Sequence, residues 1–262
     1  MRFILTIIIL FSLSSTSNAE ISTSLWNTKK SEHFIVYSQD SSLSYIDELI
    51  NKVESYYTSI TEELGFTRFQ GFWTWDNRAK IYLFKDALEY QKATNQPKWS
   101  GAEANVITRE IYTYKGMEDF LDRILPHELG HVIFREFVGF KRNLPLWLDE
   151  GVVSYLEKGQ KKERLKIVKI LAKTSSFMPL DELGKVNRYN VITMTAPEFF
   201  YAEATSIIDF LISAYGKEQF LEFCRRLRDL RVDQDWKLVL FEIYDFKDIP
   251  DMNEKWVKFL SE

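Results

Sequence analysis

The octapeptide LPHELGHV at residues 125–132 contains two of the three histidines in this chain of 262 residues. His127 and His131 are four residues apart, so on an α-helix they lie above one another on the same face. Both imidazoles can then reach a single metal ion. Glu128 lies about 100° further round the helix, where its carboxylate is beside the ion instead of bound to it. The spacing therefore predicts a metal site on a helix, with a general base next to it.

A second acidic segment, PLWLDEG at residues 145–151, follows the histidines. Its carboxylates, Asp149 and Glu150, are adjacent in the chain, so on a helix only one of them can face the metal well. The segment lies at a distance that suits a third metal ligand. Two histidine nitrogens and one carboxylate oxygen suit zinc, which keeps its fourth tetrahedral position for water. One Zn²⁺ per chain is the expected cofactor, and a structural histidine pair without metal is the alternative interpretation.

This arrangement resembles the gluzincin metallopeptidases and, more narrowly, the peptidase MA-like domains. The resemblance rests on HELGH at residues 127–131, on Glu150 and on the surrounding WLDEG segment. It implies a zinc metallopeptidase that acts on a peptide or protein substrate, with His127, His131 and Glu150, which eighteen residues separate from His131, as the metal ligands. It also implies a zincin-like (thermolysin-like) α+β fold over residues 20–262. The expected lobes are a small mixed sheet with helix at about 20–125 and a helical lobe at about 126–262.

The same resemblance assigns catalytic roles to two side chains. Glu128 would be the general base, and Tyr201, on a later helix, would stabilise the oxyanion. A plain core or lid tyrosine is the alternative for Tyr201. Some gluzincins have an aspartate one turn after the ligand glutamate, where this chain has Ser154. Glu103, in GAEAN, faintly resembles the glutamate with which gluzincin aminopeptidases bind a substrate amine, but it is displaced by one position.

Two other functions fit the same residues. One is a catalytically silent protein that keeps the zincin fold for binding or assembly, although the intact Glu128 argues against it. The other is a zinc hydrolase that acts on a non-peptide amide or ester. The sequence alone does not separate these functions, and it does not determine the oligomeric state.

Composition narrows the range of partners. Hydrophobic residues make up 45% of the chain, which is ample for a sizeable core, and the formal net charge is −4. No basic patch stands out in the sequence, so a nucleic-acid partner is not expected. The single cysteine, Cys224, cannot form a disulfide within the chain.

The N-terminus has the pattern of a signal peptide at residues 1–19. Arg2 precedes an apolar run at residues 3–13, and small residues follow at 17–19. The run is too short to span a bilayer, which needs about 20 residues, so no stable membrane span is expected in the mature chain. We predict an exported, periplasmic or secreted protein that begins at Glu20, with an uncleaved anchor as the alternative.

Hydrophobic periodicity predicts the main elements. A helix from about residue 43 to Leu64 should end at Gly65, and Pro126 should either open the metal helix or kink it. The segment at residues 175–195 is predicted to be irregular. Strands are predicted at 32–38, 79–84, 106–107 and 111–114, and later helices at 161–174, 197–215, 217–230, 236–244 and 253–260.

Overall fold

The computed structural model describes residues 21–39, 42–66, 73, 77–96, 100–140, 143–231 and 233–261. Its contacts divide the chain into two compact units. Unit 1 comprises the residues up to Glu62 together with 67–133, and unit 2 comprises 63–66 together with 134–262. The predicted signal peptide lies outside the described residues, so export remains a prediction.

Unit 1 contains a mixed sheet of five strands in the order β1-β2-β3-β5-β4. The pairs β2/β3 and β3/β5 are parallel, whereas β1/β2 and β4/β5 are antiparallel. Together with the helices, this sheet makes the protein an α+β protein. The strands are β1 (Asn27–Lys30), β2 (Phe34–Ser38), β3 (Ala79–Phe84), β4 (Ala102–Asn105) and β5 (Glu110–Tyr114).

The central strands show the two-residue period of a sheet. Phe34 and Val36 of β2 are fully buried, and the residue between them is only half-buried. Tyr37, Tyr82 and Tyr112 are directly opposite one another on neighbouring strands. Their rings stack with centroid distances of 5.2 Å and 4.9 Å. Cross-strand aromatic pairs of this kind fix the register of the sheet.

Three α-helices begin within the described part of unit 1, and a local signal marks one end of each. Helix α1 (Leu43–Leu64) ends as predicted at Gly65, whose φ of 68° lies in the left-handed region that glycine tolerates. Asp86 caps helix α2 (Ala87–Thr94) by accepting a hydrogen bond from the Glu89 N–H. A π-helical turn at Phe120–Ile124 precedes helix α3 (Leu125–Val138). Pro126 therefore lies in the first turn of α3, where its missing N–H costs little.

Unit 2 is helical, and α8 packs against α4, α5, α9 and α11. Gly151 of α4 allows a close approach, since a Cβ there would lie 2.6 Å from the carbonyl oxygen of Ala204 on α8. Cys224 is completely buried. The helices that follow α3 are α4 (Leu146–Leu156), α5 (Lys158–Lys173), α6 (Leu180–Leu183), α7 (Arg188–Thr193), α8 (Pro197–Tyr215), α9 (Lys217–Asp229), α10 (Trp236–Tyr244) and α11 (Ile249–Ser261).

Two local predictions were wrong. The strand expected at 106–107 lies earlier, as β4 at Ala102–Asn105, because pairing with β5 outweighs the β-branched character of Val106 and Ile107. The segment at 175–195 contains the short helices α6 and α7. Among the described residues, no helix combines the length and the apolar character needed to cross a membrane.

Candidate metal centre

Helix α3 presents the histidines from a buried position. Its apolar residues Leu125, Leu129, Val132 and Ile133 are fully buried, which fixes the helix in the core. His127 is 7% exposed and His131 is 1% exposed. The apolar setting explains why this sequence places two imidazoles side by side away from bulk water.

The two imidazoles have the separation expected of neighbouring metal ligands. Their Nε2 atoms are 3.2 Å apart, and the ring planes are inclined at 79°. Zinc–nitrogen bonds are about 2.0–2.1 Å long, so two ligands of a tetrahedral site are separated by roughly 3.3 Å. The distance therefore fits one edge of a coordination tetrahedron.

Glu150, on α4, completes the group of three. A nitrogen of each imidazole and an oxygen of the Glu150 carboxylate lie within 4.8 Å of one another. Glu150 is only 4% exposed. Two neutral imidazoles and one carboxylate are the donor set of a catalytic zinc site with an open fourth position, so these residues fit the expected metal.

The acidic pair on α4 is divided between two partners. Oδ2 of Asp149 accepts hydrogen bonds from the Arg135 guanidinium, at 2.8 Å from Nη2 and 3.1 Å from Nε. Both side chains are buried. Arg135 lies one turn after His131 on the same helix, so this ion pair connects α3 to α4 beside the metal ligands. The geometry thus directs Asp149 to Arg135 and Glu150 to the histidines.

Glu128 is the most deeply buried carboxylate near the histidines, with no exposed surface. It is not among the three residues whose ligand atoms cluster. The hydroxyl pKa of Tyr90 is raised, chiefly by burial and further by the nearby carboxylates of Glu103 and Glu128. Both carboxylates are therefore close to Tyr90 within unit 1. Glu103 itself is buried on strand β4.

Tyr201 lies on α8, in the same unit as Glu150. Burial raises the pKa of its hydroxyl, and the negative charge of Glu150 raises it further. Two consequences follow from these causes. The hydroxyl is close enough to Glu150 to feel its charge, and it stays protonated at neutral pH, where it can donate a hydrogen bond.

Ser154 occupies the position one turn after Glu150 and is completely buried. Its Oγ has no hydrogen-bond partner among the described residues. Ser154 therefore does not accept a hydrogen bond from either imidazole in this structure. The Ser154 position departs from the pattern of relatives that have an aspartate there.

One buried carboxylate of unit 2 was not predicted from the sequence. Glu203 on α8 is 2% exposed and accepts a hydrogen bond from the Met178 N–H at 2.8 Å. Burial raises its pKa to about 7, and the hydrogen bond opposes that shift. A glutamate within the otherwise apolar run FFYAEATSII was the signal that could have identified it.

A comparison with protein families identifies the superfamily of the chain. The family model of the peptidase MA superfamily matches residues 73–262, a segment that includes both histidines, Glu150 and Tyr201. None of the curated proteins compared with the sequence matches it significantly.

Proposed function

The chain belongs to the peptidase MA superfamily, and from this premise we propose that it is a zinc metallopeptidase of the gluzincin type. The observation that carries the proposal is the buried group of His127, His131 and Glu150, with the buried Glu128 beside it on the metal helix. The proposal includes a zincin-like arrangement of the two units.

Three residues would hold the metal, one ion per chain. His127 and His131 offer Nε2 atoms, and Glu150 offers a carboxylate oxygen. Bound zinc supplies a Lewis acid that lowers the pKa of water to about 7 and polarises the scissile carbonyl. The ion pair between Arg135 and Asp149 supports the site by holding α4 against the last turn of α3.

Glu128 is proposed as the group that moves the proton. It takes a proton from the attacking water and delivers it to the leaving amine nitrogen. Its burial suits this role because a carboxylate away from bulk water exchanges its proton with the reacting groups instead of with solvent. The two histidines and Glu150 account for three of the four positions of zinc, so Glu128 is not needed as a ligand.

Tyr201 is proposed as the donor to the carbonyl oxygen, where negative charge develops during the reaction. Its raised pKa keeps the hydroxyl protonated, and the influence of Glu150 on that pKa indicates that the two side chains are close. A donor aimed at developing charge is worth a factor of about 10² to 10³ in turnover.

The proposed substrate is a peptide or protein, and the proposed location is outside the cytoplasm. Strand β4 supports the first point because it is the terminal strand of the sheet formed by the described residues. An extended peptide can add to such a strand through its backbone. The proposed location rests on the N-terminal sequence pattern described above.

The test compares Glu128→Gln with Glu136→Gln, which makes the same chemical change elsewhere on α3. Purified protein is loaded with zinc, its metal content is measured, and a broad panel of peptides and unfolded proteins is offered. Glu128→Gln should retain one zinc per chain and lose turnover by a factor of about 10² to 10⁴, the usual contribution of a general base. Glu136→Gln should match the wild type, and His127→Ala should lose both zinc and activity.

Two results would contradict the proposal. If the zinc-loaded wild type cleaves no peptide but hydrolyses simple esters or amides, the protein is a zinc hydrolase of another class. If it cleaves nothing while binding zinc stoichiometrically, a binding or assembly role replaces catalysis.

A further inference from the structure

Helix α5 concentrates positive charge, a feature that was not predicted from the sequence. Its sixteen residues, Lys158–Lys173, include seven basic residues and a single acidic one, Glu163. The formal charge of the helix is therefore +6, whereas that of the whole chain is −4. The sign of the charge on α5 is opposite to the sign over the rest of the molecule.

Four lysines of this helix form one row, here called the lysine stripe: Lys162, Lys166, Lys169 and Lys173. Their spacings of four, three and four residues place them above one another on a single helix face. All four are exposed. At about 1.5 Å of rise per residue, the stripe is roughly 16 Å long.

The cations on the packed side of α5 have acidic partners. Nζ of Lys161 is 2.8 Å from Oδ1 of Asp209, and Nη1 of Arg164 is 2.8 Å from Oε2 of Glu157. These pairs neutralise charge where the helix meets α8 and the end of α4. They account for two of the basic residues, but not for the lysine stripe.

The lysine stripe itself has little compensating charge. Lys166 pairs with the exposed Glu163 at 2.6 Å. The other three lysines of the stripe form no ion pair with any residue that the structure describes. Like charges three or four residues apart repel one another and destabilise a helix. The lysine stripe therefore lowers the stability of α5 in the unbound protein. An anionic partner would relieve this repulsion.

Apolar side chains flank the lysine stripe. Ile170, four residues after Lys166, is 62% exposed. Leu165, four residues before Lys169, is half-buried. Lysines beside an exposed isoleucine suit an anionic bilayer, where the lysines meet phosphates and the apolar side chain enters the interface.

We infer that the lysine stripe docks the protein on the surface of a membrane that contains anionic phospholipids. A straight row of separated cations matches a surface with many mobile phosphates, whereas one small anion would need donors that converge. Ile170 favours a bilayer because its exposed side chain gains free energy by leaving water. The inference does not depend on the metal centre, since α5 supplies none of the three proposed ligands.

The experiment measures co-sedimentation of the mature protein with vesicles of phosphatidylcholine, with and without about a third of phosphatidylglycerol. Binding should require phosphatidylglycerol and fall steeply as salt is raised, because screening weakens exposed charge interactions. Replacing all four lysines of the stripe by glutamine should weaken binding roughly a hundredfold or more. Ile170→Ser should weaken it further at constant charge.

The matched control replaces four exposed lysines elsewhere, which changes the net charge equally: Lys85, Lys92, Lys115 and Lys258. Circular dichroism checks that each variant is folded. Equal losses in both quadruple variants would mean that only net charge matters and would overturn the inference. Absence of vesicle binding by the wild type would also overturn it. Binding of polyglutamate through the stripe, without binding to vesicles, would assign this face to an acidic protein instead.

Discussion

Helices α4 and α5 follow one another with only Glu157 between them, and both pack against α8. They differ in how much of each helix is buried. The segment 147–154 of α4 is buried throughout, whereas α5 buries little more than Val168 and Leu171. A polar group inside α4 must therefore meet a specific partner, as Asp149 meets Arg135. A polar group on the outer face of α5 meets water, a partner molecule or an exposed side chain of the same helix, as Lys166 meets Glu163. Substituting a polar residue should therefore change the stability of the protein much more in α4 than on the outer face of α5.

The largest effect on stability should come from breaking the buried ion pair of α4. Arg135→Met removes the buried cation that contacts the Asp149 carboxylate, which costs about 3–5 kcal/mol of unfolding free energy. Urea denaturation of the metal-free protein measures this loss. Zinc affinity should fall as well, because α4 carries Glu150.

A double variant sharpens this prediction. Arg135→Met combined with Asp149→Asn removes both charges and should recover most of the lost stability. If the single variant Arg135→Met is as stable as the wild type, then Asp149 is not energetically coupled to Arg135. The contrast between the buried and exposed helices would then be weaker than the structure implies.

The next effect concerns Glu203 on α8 and depends on pH. Its pKa is raised from 4.5 to about 7 in the folded protein, so the folded state holds this proton at a pH where the unfolded state has lost it. Stability contributed by the protonated carboxyl is complete below pH 4.5 and is lost as pH rises through 7. The loss is up to about 3 kcal/mol by pH 8.

Glu203→Gln keeps an oxygen for the Met178 N–H but has no proton to lose. The variant should therefore lack this part of the pH dependence of stability between pH 4.5 and 8. Glu198→Gln, at an exposed position on the same helix, should keep the wild-type profile. Denaturation midpoints measured across this pH range test the prediction. Parallel curves of midpoint against pH for wild type and Glu203→Gln would contradict it.

Replacing one glycine by alanine in each of the two helices should change the unfolding free energy by a smaller amount, with opposite signs in α4 and α5. A Cβ at Gly151 of α4 would lie 2.6 Å from the backbone oxygen of Ala204, so Gly151→Ala should destabilise by about 1–3 kcal/mol. A Cβ at Gly159 of α5 would meet nothing within 4 Å. Gly159→Ala should therefore stabilise by up to about 1 kcal/mol, through helix propensity alone. Thermal melts of both variants test the pair, and equal shifts would remove the distinction between the helices.

The smallest effect is expected on the outer face of α5. Lys169→Gln should change the unfolding free energy by no more than about 0.5 kcal/mol, as usual for exposed substitutions. A loss above about 1 kcal/mol in the absence of membranes would show that Lys169 has a structural partner in the folded protein.

The candidate site was largely predictable because its signals are local. The spacing of His127 and His131, the position of Pro126 and the adjacent Asp149 and Glu150 all follow from helix geometry. Glu150, and not Asp149, was expected beside the histidines from the resemblance, and the ion pair between Asp149 and Arg135 supplies a physical reason for that division. A buried arginine one turn after a histidine has no distinctive sequence pattern. Its role depends on a residue fourteen positions later in the chain.

The parts of the fold that escaped prediction depend on distant or unusual contacts. Strand β1 is exposed along its whole length and has no hydrophobic alternation, so only its pairing with β2 defines it. Helix α7 begins with a capping box in which Asn187 and Asn190 bond to each other's backbone N–H. Glutamate or glutamine is the usual partner in that motif, so the two asparagines gave no recognisable helix start within the segment predicted to be irregular.

The burial of Cys224 has a practical consequence for spectroscopy. It is the sole thiol of the chain, it is fully inaccessible, and burial raises its pKa. The native protein should therefore not react with maleimides or other thiol reagents. A cysteine introduced at an exposed position would then be the single reactive site, so a fluorophore or spin label can be attached there without first removing the native thiol. Slow modification of Cys224 itself would measure how often unfolding exposes this buried thiol.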